Sequence, residues 1–143
     1  MSAITDLDTL LGSMSPLASD GLFVFCCIAD GRYGAHADLA PLASFQEKEG
    51  LTLILPQPAA DRAGLAYEGV FAMITLSVHS SLAAVGLTAA VAAELTKAGI
   101  SANVLAACFH DHIFVPAARA GKAVAALNAL AQRHGGNGGN GAG

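Results

Sequence analysis

The sequence predicts an α+β fold built on a βαββα unit, and three observations in its second half carry that prediction. Val70 to Val78 is rich in β-formers and ends in the alternation Ile74, Leu76, Val78, the two-residue period of a half-buried strand. Leu87, Val91, Leu95 and Ala98 then recur at helical spacing, and Gly99 follows as a stop signal. Beyond it, Ser101 to Cys108 and His112 to Val115 read as two strands about a turn at Phe109-His110-Asp111. Pro116 opens a second helix whose stripe is Ala120, Val124, Leu127 and Leu130 or Ala131. Two helices after three strands must cover one face of an antiparallel sheet, because nothing else buries both stripes. The unit is one strand short of βαββαβ. Either the N-terminal half supplies that strand or a second chain does.

The first half is less regular. Asp6 is a good N-cap, and Leu7, Leu10, Leu11 and Met14 give a helical stripe that Gly12 and Pro16 keep to two or three turns. After the turn signal Asp20-Gly21 comes the strand LFVFCCIA, whose continuous apolarity predicts burial on both faces. Asp30 to Ala40 reads as a loop. Pro41 is expected to open a short helix through Leu42 and Phe45 that Gly50 ends. Leu51 to Pro56, LTLILP, reads as a short buried strand. Gln57 to Ala66, with Pro58, Asp61 and Gly64, is the one credible interior linker. A division there gives an N-terminal unit over 1–62 and a C-terminal one over 63–134. The Gly/Asn-rich end, 135–143, has no core-forming side chain and is expected to be flexible.

Composition excludes several classes. The 143 residues are 54% hydrophobic and only 13% charged, about half the usual charge. A surface so poor in charge predicts that another chain covers part of it, as in a homodimer. A net charge of -4 and seven scattered basic residues argue against nucleic acid, since phosphate binding needs clustered cations. The longest apolar run, Gly21 to Ala29, is far short of the roughly 18 to 20 residues that span a membrane. MSAITDLDTL carries acids where a secretion signal carries bases. Cys26, Cys27 and Cys108 make no even disulfide framework, so a cytoplasmic chain with reduced, largely buried thiols is expected.

Several segments resemble the ACT domain, a regulatory module that senses small molecules, most often amino acids. They are LFVFCCIA, FQEKEGLTLILP, the block ITLSVHSSLAAVGLTAAVAAELTKAGISANVLAACFHDHIFVP and the helix after it, about 110 residues together. The whole chain is similar to a bacterial family of tandem ACT proteins, related to the ACT domains of cytosolic arginine sensors and, more distantly, of aspartate kinases. The resemblance implies two ferredoxin-like units per chain, βαββαβ in outline, that pair side by side. The N-terminal unit departs from the pattern: a helix precedes its first strand, and no clear long helix follows it. A ligand site there is not expected to be complete.

Ser80 to Gly86 precedes the central helix. A helix N-terminus exposes unpaired N–H groups and a partial positive charge, so it can hold a carboxylate. Gly86 permits close backbone approach, and the Ser80 and Ser81 hydroxyls add adaptable hydrogen bonds. The plainer reading is that both serines cap the helix and Gly86 eases a turn. In ACT domains this loop forms one wall of the ligand site, and the resemblance implies contacts at Ser80, Ser81, Val85, Gly86, Leu87, Cys108 and Asp111. In the arginine sensors an aspartate equivalent to Asp111 touches the ligand.

His110-Asp111-His112, with His79 and Cys108, invites a metal reading, but a turn breaks the shared face and no spacing matches a zinc pattern. A polar turn with Asp111 accepting backbone N–H bonds is the alternative. Cysteines in apolar strands are expected to be inert. Glu47 and Glu49 flank Lys48 as at a solvated helix end, not as paired acid and base. No phosphate loop, nucleophile elbow or dinucleotide fingerprint occurs. The expectation is a non-catalytic regulatory protein without cofactor or metal, binding an amino acid. A ligand-free ACT-type oligomerisation module is the competing expectation, with an enzyme a distant third.

Overall fold

The computed structural model describes residues 6–78 and 84–139. Along the chain run α1 (Leu7–Ser13), β1 (Pro16–Ala18), β2 (Phe23–Ala29), β3 (Ala43–Gln46), β4 (Gly50–Pro56), α2 (Gln57–Ala63), β5 (Phe71–Leu76), α3 (Leu87–Lys97), β6 (Asn103–Ala106), β7 (Asp111–Pro116) and α4 (Ala120–Gly139). Single 3-10 turns occupy Ala37–Leu39 and Ala117–Arg119. The elements form two compact units, Met1–Ser19 with Ala72–Gly143, and Asp20–Phe71.

In the larger unit the central pair β5 and β7 is flanked by β1 on the β5 side and β6 on the β7 side. β1 pairs antiparallel with β5, Pro16 opposite Leu76 and Ala18 opposite Ile74. The strand missing from the βαββα unit therefore comes from the same chain, from a three-residue segment before β2 that the sequence does not mark as a strand. Helices α1, α3 and α4 supply Leu10, Leu11, Leu87, Val91, Leu95, Ala123 and Leu127 to one core with Ile74, Leu76, Ile113 and Val115. Each fully buried leucine or isoleucine stabilises by roughly 1.5–3 kcal/mol. Asp6 caps α1, its carboxylate accepting from the Thr9 N–H at 3.0 Å and the Thr9 hydroxyl at 2.8 Å. α4 continues to Gly139, past residue 135, where the sequence predicts a flexible tail to begin. Residues 140–143 lie outside the described residues.

The smaller unit is a three-stranded antiparallel sheet with β4 between β3 and β2. Its last residue, Phe71, pairs with Phe23. Three expectations are corrected here. The helix expected from Pro41 is the strand β3, because Ala43 to Gln46 pair residue by residue with Ile54 to Leu51. Gly50 opens β4 opposite Ala29 instead of closing a helix. The expected linker is largely the helix α2, which buries Ala59 and Ala60 and ends at Gly64, φ +69°. Pro58 and Gly64, which suggest a linker in the sequence, are the first-turn proline and the C-terminal glycine of a short helix. Third, β2 alternates: Val24 and Cys26 are buried while Cys27 is exposed, because helix covers only one face of this sheet. Where an ACT-like unit would carry its first helix, Asp30 to Ala40 is the predicted loop, holding only a 3-10 turn.

Candidate functional site

Gly86 is the N-cap of α3, at φ +97°, and no side chain caps the helix there. The strand-to-helix geometry explains the glycine, because a left-handed backbone is cheap only without a Cβ. The first intrahelical bond, Ala90 N–H to Gly86 O, measures 2.9 Å. The N–H groups ahead of Ala90 thus point from the helix end with its partial positive charge. Ser80 and Ser81 lie outside the described residues. Val85 is 82% exposed beside the cap. Leu87 is buried in the core with Ile113 and is an anchor for the helix rather than a surface contact.

A nearer neighbour of Gly86 is one that sequence reasoning missed. A Cβ placed on Gly86 would lie 3.0 Å from Leu7 Cδ2, so the first residue of α1 sits against this turn. Leu7 carries the i, i+3, i+4 signal of its helix, but sequence does not say which element that face meets. Gly86→Val is therefore expected to remove ligand binding and also to lower stability by about 1–2 kcal/mol. Calorimetric titration with denaturant unfolding checks both. A variant that binds like the wild type would place the site elsewhere.

Asp111 corrects the solvated-turn expectation. It is the first residue of β7, paired with Ala106, and only 6% exposed, the one buried charged residue among those described. The two-residue strand period puts it on the same face as Ile113 and Val115, which line the helix-covered core. Its burial pushes the carboxyl above the usual carboxylate range, partly offset by His112 and then His110. The carboxyl is thus largely withdrawn from solvent beside two imidazoles, His112 and His110.

His112 points to the other face, where its Nδ1 lies 3.0 Å from Thr75 Oγ1. Burial, then His110, lowers its pKa, against the pull of Asp111. The His110 and His112 rings stand 6.5 Å apart, and His110 Nδ1 is buried without a hydrogen-bond partner among the described residues. No group of three or more metal-ligating side chains gathers among the described residues. Cys108 lies after β6, not in it, and is exposed like Cys27; only Cys26 is buried, its thiol pushed up by burial. All three thiols are free, but the expectation of burial holds for Cys26 alone, because Cys27 lies on the other face of β2 and the strand expected to bury Cys108 ends at Ala106. No described helix is long and apolar enough to cross a membrane.

Two ACT-domain family models match the sequence, one over residues 2–72 and one over 70–129. A crystal structure of a Vibrio cholerae protein of unknown function, described as a possible transport protein, is 49% identical. It covers 92% of this chain and 100% of its own, with a TM-score of 0.81. The chain is a tandem ACT-domain protein. An Agrobacterium tumefaciens protein shares the fold at 14% identity and a TM-score of 0.69, over 82% of this chain and 89% of that one. The ligand-free regulatory subunit of aspartate kinase from Thermus thermophilus does so at 11% identity and a TM-score of 0.60, over 82% and 96%. Comparison with curated proteins returns no match. ACT domains are commonly regulatory ligand-binding modules, and both units of this tandem ACT protein are of the ferredoxin-like type.

Proposed function

We propose that this tandem ACT protein is a non-catalytic, cytoplasmic regulator that binds an amino acid at the N-terminus of α3 and at Asp111. One observation carries the reading: Asp111, the one buried charged residue among those described, lies in the unit whose α3 has a glycine cap and no capping side chain. Burying a carboxylate is costly, and a ligand ammonium would offset that cost. The free N–H groups of α3 suit the ligand carboxylate. Ser80, Ser81, Val85 and Cys108 are proposed as surrounding contacts, and no cofactor or metal takes part. Thermal shift with each of the twenty amino acids tests this, because a ligand at about a hundred times its Kd adds roughly 2.7 kcal/mol. At least one should raise the melting temperature. Absence of any shift at millimolar concentration would end the amino-acid reading.

The packing of Leu7 against Gly86 favours a second reading, an ACT-type interaction module whose site is closed. In either case we propose a homodimer. β3 and β6 are edge strands of their units, and Leu17, Phe45 and Phe109 are exposed. Light scattering at micromolar concentration should return about twice the 14.3 kDa chain mass. A monomer mass would contradict it.

A further inference from the structure

One N-terminal segment holds both ends of the stretch that joins β5 to α3. At the strand end, the Ser77 N–H donates to Ser15 O at 2.9 Å, prolonging the pairing of Pro16 with Leu76. At the helix end, Leu7 packs on Gly86. Between these points α1 is seated on α4 so closely that only glycine fits on either side. A Cβ on Gly12 would lie 2.7 Å from Gly135 Cα, and one on Gly135 would lie 2.7 Å from Gly12 O. Asp8 Oδ1 meets His134 Nδ1 at 2.6 Å beside this crossing, and Leu10 and Leu11 are buried beneath it.

From this we infer that α1 is a regulatory element whose docking on α4 sets the position of the α3 N-terminal turn. A helix of seven residues is not stable in isolation, so α1 is helical when docked and uncoils when released. Docking and the geometry of the Gly86 turn then share one equilibrium. A ligand that fixes the turn strengthens the seating of α1, and release of α1 weakens the ligand, by the reciprocity of linkage. That last consequence rests on the binding reading above. The coupling itself does not.

The test is therefore made on the full chain without ligand, by amide hydrogen exchange. Gly12→Val drives a side chain into the Gly135 backbone and unseats α1. Exchange should speed by about tenfold or more at Leu10, bonded to Asp6 O, and at Ala90, bonded to Gly86 O. The amides of β2, paired with β4, should exchange as in the wild type. Faster exchange at Leu10 with Ala90 unchanged overturns the inference. Leu7→Ala is the second variant, should Gly12→Val fail to fold. It removes only the side chain that touches Gly86, and it should speed Ala90 while leaving the β2 amides alone. An Ala90 rate equal to that of the wild type in Leu7→Ala overturns the inference as well. Neither arm depends on whether any amino acid binds.

Discussion

Gly50→Ala should destabilise the Asp20–Phe71 unit by roughly 3–4 kcal/mol, enough to unfold much of a marginally stable domain. Gly50 opens β4 at φ +153°, opposite Ala29. An added Cβ would stand 2.2 Å from Ile28 O and 3.0 Å from the Asp30 N–H nitrogen. Both neighbours are backbone, held by the Asp30 N–H to Glu49 O bond at 3.1 Å and by the β2–β4 ladder, so neither can swing aside. Relief requires breaking the ladder where Leu51 and Leu53 enter the core. Urea unfolding of the two proteins measures the loss. A difference under about 1 kcal/mol would mean the hairpin end relaxes freely.

Asp111→Asn should lower ligand affinity by roughly ten- to a hundredfold and, at neutral pH, leave the ligand-free protein no less stable than the wild type. The folded carboxyl binds its proton more tightly than the unfolded one, because burial disfavours its charge. Its contribution is fully present below the unfolded carboxylate pKa and is lost as pH rises through the raised folded value. Above that raised value the wild type carries a buried charge that asparagine lacks. The ligand-free melting temperature of the variant should equal or exceed that of the wild type near pH 7, the gap closing as pH falls through the raised pKa. Melting curves across pH, with calorimetric titration, check both halves. A variant less stable at neutral pH but equal in affinity would make Asp111 a structural residue.

The legible parts of the fold were those with long periodic signals. The stripe Leu87, Val91, Leu95 and the alternation Ile74, Leu76 report burial against a single neighbour, and the structure buries these side chains. The short elements were not legible. β1 has three residues, and its pairing with β5 is non-local, so neither period nor propensity marks it. The Pro41 signal was overridden by cross-strand pairing of β3 with β4. At the site, the start of α3 after Gly86 was readable from the apolar stripe, but the cap was not: the sequence offers Ser80 and Ser81 for that role, and Gly86 holds it. Nor was the burial of Asp111, because a turn and the first residue of a strand share the same polar neighbours in sequence. Leu7 and His110 depend on which elements pack together, and nothing along the chain records that.

The most direct measurement is an amide chemical-shift titration of the labelled full chain with the twenty amino acids. The account predicts that at least one of them perturbs Leu87, Thr88, Ala89 and Asp111, and that the same shifts vanish in Gly86→Val. No perturbation with any amino acid, or perturbations confined to the Asp20–Phe71 unit, would contradict it.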